Sequence, residues 1–168
     1  MALKLDTAAL IEKYGKDLPR FADGRVDYGG ATHMPVLSCF VESHGKLLLL
    51  KRSGKVRSYQ GKWCAVAGFI DQAKPIEDIA YAELKAEVGL GRDDIAELVL
   101  GQPYDYADDA LGKCWRVYPM LARLRGTPRI EIDWEHTDFE WIAPEDLGNY
   151  DTVPKLDESM RRAIRAAI

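Results

Sequence analysis

At 168 residues with 47% hydrophobic content, the chain has the size and apolar share to bury one compact core. Its formal net charge of −4 argues against nucleic acid as a partner, which calls for a basic surplus, and leaves room for a local basic pocket. Cys39, Cys64 and Cys114 are odd in number, far apart and set in apolar runs, so they imply neither a disulfide framework nor a zinc site.

The opening stretch MALKLDTAALIEKYG lacks the continuous apolar core of a signal peptide, and no run approaches the ~18 apolar residues of a membrane span. A cytoplasmic chain with no membrane partner is expected. Residues 6–14 predict a short helix, with Asp6 or Thr7 as cap and Leu10 and Ile11 facing inward. Residues 15–32, rich in Gly, Asp and Arg, read as an extended lead-in. The run PVLSCFVE (35–42), a turn at His44-Gly45 and KLLLLKR (46–52) predict a hairpin. A polar loop at 53–62 precedes a further strand at 63–70. Pro75 and Gly89 bracket a helix as an N1 proline and a C′ glycine. Two strands follow, at 97–106 and 114–124, around an acidic loop from Asp105 to Asp109. A strand near 138–142 and a helix from Pro154, with Leu156, Met160, Ile164 and Ala167 on one face, complete the order β–β–β–α–β–β–β–α. That order suggests a mixed sheet covered by helices.

The helix at 75–90 carries charge in an unexpected place. On a wheel of ~100° per residue, Ile76, Ile79, Ala80, Leu84, Ala86 and Val88 share one broad face, and Glu83 and Glu87 fall in the middle of it. Glu77, Asp78, Tyr81 and Lys85 take the opposite side. A carboxylate facing a core is costly unless paired or bound to metal. Two glutamates at i and i+4 repel each other when ionised, which suits a hard divalent cation. A rolled helix, or an Arg or Lys partner, is the competing explanation.

With these residues in view, GFIDQAKPIEDIAYAELKAEVGL (68–90) resembles the Nudix box, G-x5-E-x7-R-E-U-x-E-E-x-G-U with U aliphatic. Gly68, Glu83, Leu84, Glu87, Gly89 and Leu90 stand at matching positions. KLLLLKRS, GKW at 61–63 and EHTDFEWIAPEDL at 135–147 extend the resemblance over roughly residues 34–147. It implies an α/β fold, the Nudix-type α/β/α sandwich around a mixed β-sheet. A single domain over 1–168 is then expected, with 1–33 as an N-terminal extension and a C-terminal helix at 154–168. The implied activity is Mg²⁺-dependent cleavage of a phosphoanhydride bond, with Mn²⁺ as a substitute ion. The implied substrate is a small nucleotide-type molecule, a nucleoside diphosphate linked to another moiety.

Three positions depart from the box. Lys74 replaces its early glutamate and Ala82 its arginine, residues that in the family form a salt bridge pinning the loop to the helix. Losing both together avoids an orphaned buried charge. Ala86 replaces a metal-binding glutamate. Glu135 is the expected compensation, because EHTDFEW resembles the EHxxYRW segment of diadenosine tetraphosphate hydrolases, whose glutamate reaches the metal cluster. The resemblance thus assigns Glu83, Glu87 and Glu135 as the catalytic residues, with Glu83 and Glu87 as metal ligands, Glu135 as a third ligand or the base that activates water, and the carbonyl of Ala67 completing the shell.

Five basic residues and no acid lie between Lys51 and Lys62. Arg52 is the first candidate for substrate phosphate, with Lys51 and Lys62 beside it, because an arginine can hold two phosphate oxygens and stays charged. Tyr59, Trp63, Tyr104 and Tyr106 are candidate stacking surfaces for a base. His136 adjoins Glu135 and is expected to pack rather than bind. Two rivals remain: a catalytically weak or inactive Nudix-fold nucleotide-binding or regulatory module, favoured by Ala86, Ala82 and Lys74, and an isomerase built on Cys64 and a histidine cluster. The unassigned N-terminal segment is also a candidate homodimer contact.

Overall fold

The computed structural model describes residues 4–168; residues 1–3, the head of the stretch weighed against a signal peptide, lie outside it. Helix α1 (Thr7–Gly15) is capped by Asp6, whose side chain accepts from the Ala9 amide. Strands β1 (His33–Ser43) and β2 (Lys46–Arg52) turn at His44 and Gly45, with φ of 52° and 78°. Then come β3 (Trp63–Cys64), β4 (Val66–Phe69), α2 (Ile76–Val88), β5 (Ile95–Leu100), β6 (Tyr104–Asp108), β7 (Lys113–Leu124), β8 (His136–Ile142) and α3 (Leu156–Ala166). No helix among the described residues is long and apolar enough to cross a membrane.

The strands form one mixed sheet centred on β1 and β7, which run parallel from His33↔Cys114 to Glu42↔Arg123. The outer edge of β7 carries β6 and then β5, both antiparallel. The other edge of β1 carries β4 at 36–39 and meets β2 only at 42–43. The expected hairpin is therefore two residue pairs long. Beyond them β2 diverges and pairs along its length with β8 and, at Leu50 and Lys51, with β3. The sheet forks there, and the chain crosses the fork at Ala65, passing from β2 to β1.

Three further expectations are corrected. The run 63–70 is two strands rather than one, because it serves both arms of the fork. The run 97–106 breaks at Gly101–Pro103; Pro103 has no N–H to give to a ladder, and the chain resumes as β6. Asp105 and Asp108 accordingly belong to β6, and the turn lies beyond them. Pro75 is extended, with ψ 138°, and caps α2 instead of opening it.

Both faces of the sheet are covered. Leu37, Cys39 and Val41 of β1 and Leu48 and Leu50 of β2 pack with Ile76, Ile79, Ala80, Leu84 and Val88 of α2. The alternate residues Phe40, Leu47, Leu49 and Leu121 pack with Leu156 and Ala163 of α3. Four consecutive leucines in β2 are thus the mark of a strand buried on two sides. Ala86, assigned to the apolar face of α2 by periodicity, is exposed.

Candidate active site

Helix α2 projects Glu83 and Glu87 from adjacent turns toward the fork. Glu83 lies against β4 at Gly68, where a Cβ would stand 2.6 Å from the Glu83 Cδ. Glu87 is 3% exposed, and its Oε2 receives no hydrogen bond from the described residues. The helix stops at Gly89, whose φ of 76° lets its amide return to the Leu84 and Lys85 carbonyls. The next segment to arrive uses the last free carbonyls: the Glu131 amide donates to Val88 O at 3.0 Å and the Asp133 amide to Glu87 O at 3.2 Å. This docking brings residues 133–136 beside the two glutamates, although some fifty residues separate them in sequence.

Asp133 organises that segment. Its Oδ1 accepts from the Glu135 amide and lies 3.1 Å from His136 Nδ1. His136 is buried, with Nε2 3.6 Å from Glu87 Oε1 and 3.9 Å from Cys64 Sγ. Burial holds the imidazole below its usual pKa. His136 packs, as expected, between Asp133, Glu87 and Cys64.

All three glutamates are pushed toward protonation. Glu87 stands well above the usual carboxylate range, first from burial and then from the charges of Glu83 and Glu135. Burial also raises Glu83. Glu135 is pushed up to about 7 by burial, with Asp133 and Glu83 adding to it. The backbone amide of Ala67 works the other way on Glu87, so β4 adjoins the acids at Ala67, through its amide and not the carbonyl that was expected.

Glu83 and Glu135 open onto a cavity of about 370 Å³, with Glu87 buried behind its wall. Glu83, Glu135, Ala67 and Arg52 all line it. Arg52 is held by a bond from Nε to Ser58 O at 3.0 Å, leaving its Nη groups free. Lys51 and Lys62 do not line it; Lys62 is bound at 2.8 Å by Asp151 on the surface. The side of the sheet that α3 leaves uncovered supplies an aromatic wall. Tyr106 stacks on Trp115, with ring centroids 6.3 Å apart, and Tyr59 stands 5.9 Å from the same indole. Tyr104 bonds Ser159 Oγ of α3 at 2.5 Å. Trp63 packs on Tyr150 away from the cavity. The isomerase reading loses its residues. Burial pushes the Cys64 thiol up to about 12, and among the described residues His136 is the histidine within 4 Å of it, so no histidine cluster forms.

Two lining residues, Asp71 and Arg25, were not expected. Asp71 ends the apolar run of the box, and an acid directly behind a buried strand could have drawn notice. Arg25 had no local signal, because nothing in residues 15–32 says where they dock. They dock on the box loop, which together with the start of α1 they hold at three points. Thr7 Oγ1 donates to Lys74 O at 2.6 Å, the Val26 amide to Asp71 O at 3.0 Å, and Tyr28 Oη to Ile70 O at 2.9 Å. The loop that lacks its salt bridge to α2 is pinned from the N-terminal side instead.

Among the described residues, no three His, Cys, Asp or Glu side chains converge as a ready metal-ligand set. The donor chemistry nonetheless fits a hard divalent cation. The ligands are oxygens, Glu83 and Glu87 are one turn apart, and Glu87 Oε2 is buried with no donor except a shared proton.

The family described as NUDIX domain matches residues 31–166. The nucleoside triphosphatase NudI of Escherichia coli O139:H28 is 24% identical over 136 residues, covering 74% of this chain and 89% of that protein. A MutT NUDIX hydrolase from Burkholderia pseudomallei superimposes with a TM-score of 0.65 at 24% identity, over 77% of this chain and 97% of its own. A C. elegans Ap4A hydrolase superimposes with a TM-score of 0.59 at 20% identity, over 79% and 94%. The α/β/α architecture, the box on β4 and α2, and these matches agree: the chain belongs to the Nudix family of nucleotide pyrophosphohydrolases.

Proposed function

We propose that this protein hydrolyses a phosphoanhydride bond in a nucleoside diphosphate linked to another moiety, and that it requires Mg²⁺, with Mn²⁺ as a substitute. The observation that carries the reading is Glu87, a buried carboxylate with an unpartnered Oε2 beside a second glutamate at the wall of the cavity. Glu83, Glu87 and the Ala67 carbonyl would hold the ion, with Glu135 as a third ligand or as the base that activates water. When bound, it neutralises charge developing on the phosphates and lowers the pKa of water.

The protein's own residues divide the remaining work. As the base, Glu135 takes a proton from the attacking water at its carboxylate. Arg52 offers its free Nη groups to phosphate oxygens. Trp115, Tyr106 and Tyr59 form a stacking wall for the base, and the Tyr59 hydroxyl is held by Asp108 at 2.7 Å.

The test is turnover of ADP-ribose, diadenosine polyphosphates, nucleotide sugars, NADH and (d)NTPs with Mg²⁺ and then Mn²⁺, with products read by mass spectrometry. Metal-dependent cleavage of one member is expected, and Glu87→Gln should lower it by at least about a hundredfold. Nucleotide binding without turnover across the panel would overturn the reading in favour of a binding module.

A further inference from the structure

We infer that Arg25, delivered by the N-terminal segment outside the matched family region, is a phosphate-binding residue of the active site. The inference rests on the proposed nucleotide substrate and adds a determinant to it. Arg25 lines the same cavity as Glu83, Asp71, Arg52 and Glu135. Its guanidinium is oriented on three sides. Nε is bonded to Asp23 Oδ2 at 2.7 Å, the plane lies over the Phe21 ring with Cζ 5.1 Å from its centroid, and Nη1 points toward Asp71 Oδ2 at 3.9 Å. At 3.9 Å that last contact is too long for a hydrogen bond, so the Nη donors remain available.

The backbone that carries Arg25 is firmly seated. Val26 is 1% exposed, and its amide is bonded to Asp71 O. Gly15 of α1 lies so close that a Cβ there would meet Val26 Cγ2 at 2.8 Å. A side chain set beside a buried anchor, with its Nε edge already neutralised by Asp23, presents its other edge as a fixed fork.

The charge around the cavity calls for such a fork. Glu83, Asp71 and Glu135 line it, with Glu87 behind them, and a substrate bringing further negative charge meets repulsion. The two arginines stand near different acids: Arg25 acts on Glu83 and Asp71, Arg52 on Glu135. Together they put two cations on the wall of one acid-lined cavity, where a polyphosphate would meet both. A surface ion pair with Asp23 would account for the Nε contact alone, and leaves unexplained the place of Arg25 on the cavity wall beside Asp71 and Glu83.

The experiment is calorimetric titration of ADP, inorganic pyrophosphate and adenosine into the full chain in Mg²⁺, comparing wild type with Arg25→Ala, Arg25→Lys and Arg52→Ala. Arg25→Ala should weaken ADP and pyrophosphate by about tenfold or more, leave adenosine unchanged, and keep the melting temperature. Arg25→Lys should recover part of the loss, because it restores charge without the fork. Wild-type affinity for both phosphates in Arg25→Ala, with Arg52→Ala weakened, would overturn the inference and leave the proposed function standing. Equal losses for adenosine and ADP, with a lowered melting temperature, would make Arg25 structural and overturn it as well. Failure of the wild type to bind ADP or pyrophosphate would remove the nucleotide reading itself.

Discussion

Glu83 occupies the space where a side chain on Gly68 would be, so the two positions are a single device. Ala at position 68 would bring its Cβ within 2.6 Å of Glu83 Cδ, the mobile end of a side chain and not the backbone. The carboxylate therefore yields and the strand does not. Gly68→Ala should fold with a melting temperature within about 3 °C of wild type, yet lose about 10- to 100-fold in kcat/KM, the scale expected of a ligand displaced by about 1 Å. A loss of stability with undiminished activity would show that Glu83 is not needed at that spot. Spacing alone picked out Glu83 and Glu87, because two acids on an apolar face are anomalous whatever the fold. Asp133 could not be read in this way: it becomes part of the site through its bonds to the Glu135 amide and His136, and through a docking on α2 that no local pattern encodes.

Among the elements, α3 depends on one close approach. Gly101 precedes the β5–β6 break, and a Cβ there would stand 2.6 Å from the Arg162 carbonyl oxygen of α3. Arg162 also reaches back to the Gln102 and Pro103 carbonyls, so the helix and the break are locked together. Backbone cannot move aside cheaply. Gly101→Ala is expected to cost about 1–3 kcal/mol and lower the melting temperature by about 2–10 °C, which thermal unfolding would check. Because Leu156 and Ser159 of α3 also line the cavity, the shift should reach substrate affinity. A neutral substitution would mean that α3 floats on the sheet. Strand β2 makes the complementary point. Its four leucines announce burial, and only the fork explains why the turn beside them zips two residue pairs.

For the molecule as a whole, the acid cluster links stability to pH. Glu135 titrates at about 7 in the folded state against a usual 4.5, and Glu83 and Glu87 are shifted in the same direction. A raised carboxylate pKa means the folded state holds protons the unfolded chain has released, so stability falls as pH rises through that window. His136, held low by burial, acts in the opposite sense below about pH 6.5, which makes 6.5 to 8 the informative range. Without metal, the melting temperature should drop by a few degrees over that range, a modest amount because Glu135 is partly exposed and screened. Glu135→Gln should flatten the slope, and Mg²⁺ should stabilise more at pH 8 than at 6.5. A slope that rises with pH, or is unchanged in the variant, would contradict the assignment of the cluster.

The sequence by itself determined the elements that rest on local chemistry: the helix start at Asp6 or Thr7, the Gly89 stop, the apolar face of α2 and the two glutamates lodged in it. These follow from periodicity and backbone preference, which act over a few residues. It also carried the family, because the box is contiguous. Tertiary structure alone decided the fork in the sheet, the docking of 131–136 on the end of α2, and the path of residues 15–32 onto the box loop. Each is fixed mostly by backbone hydrogen bonds, which every residue but proline can offer, and the Tyr28 side-chain bond to Ile70 O joins positions 42 apart in sequence. Such contacts leave no local trace, which is why Arg25 and Asp133 emerged only when the chain was folded.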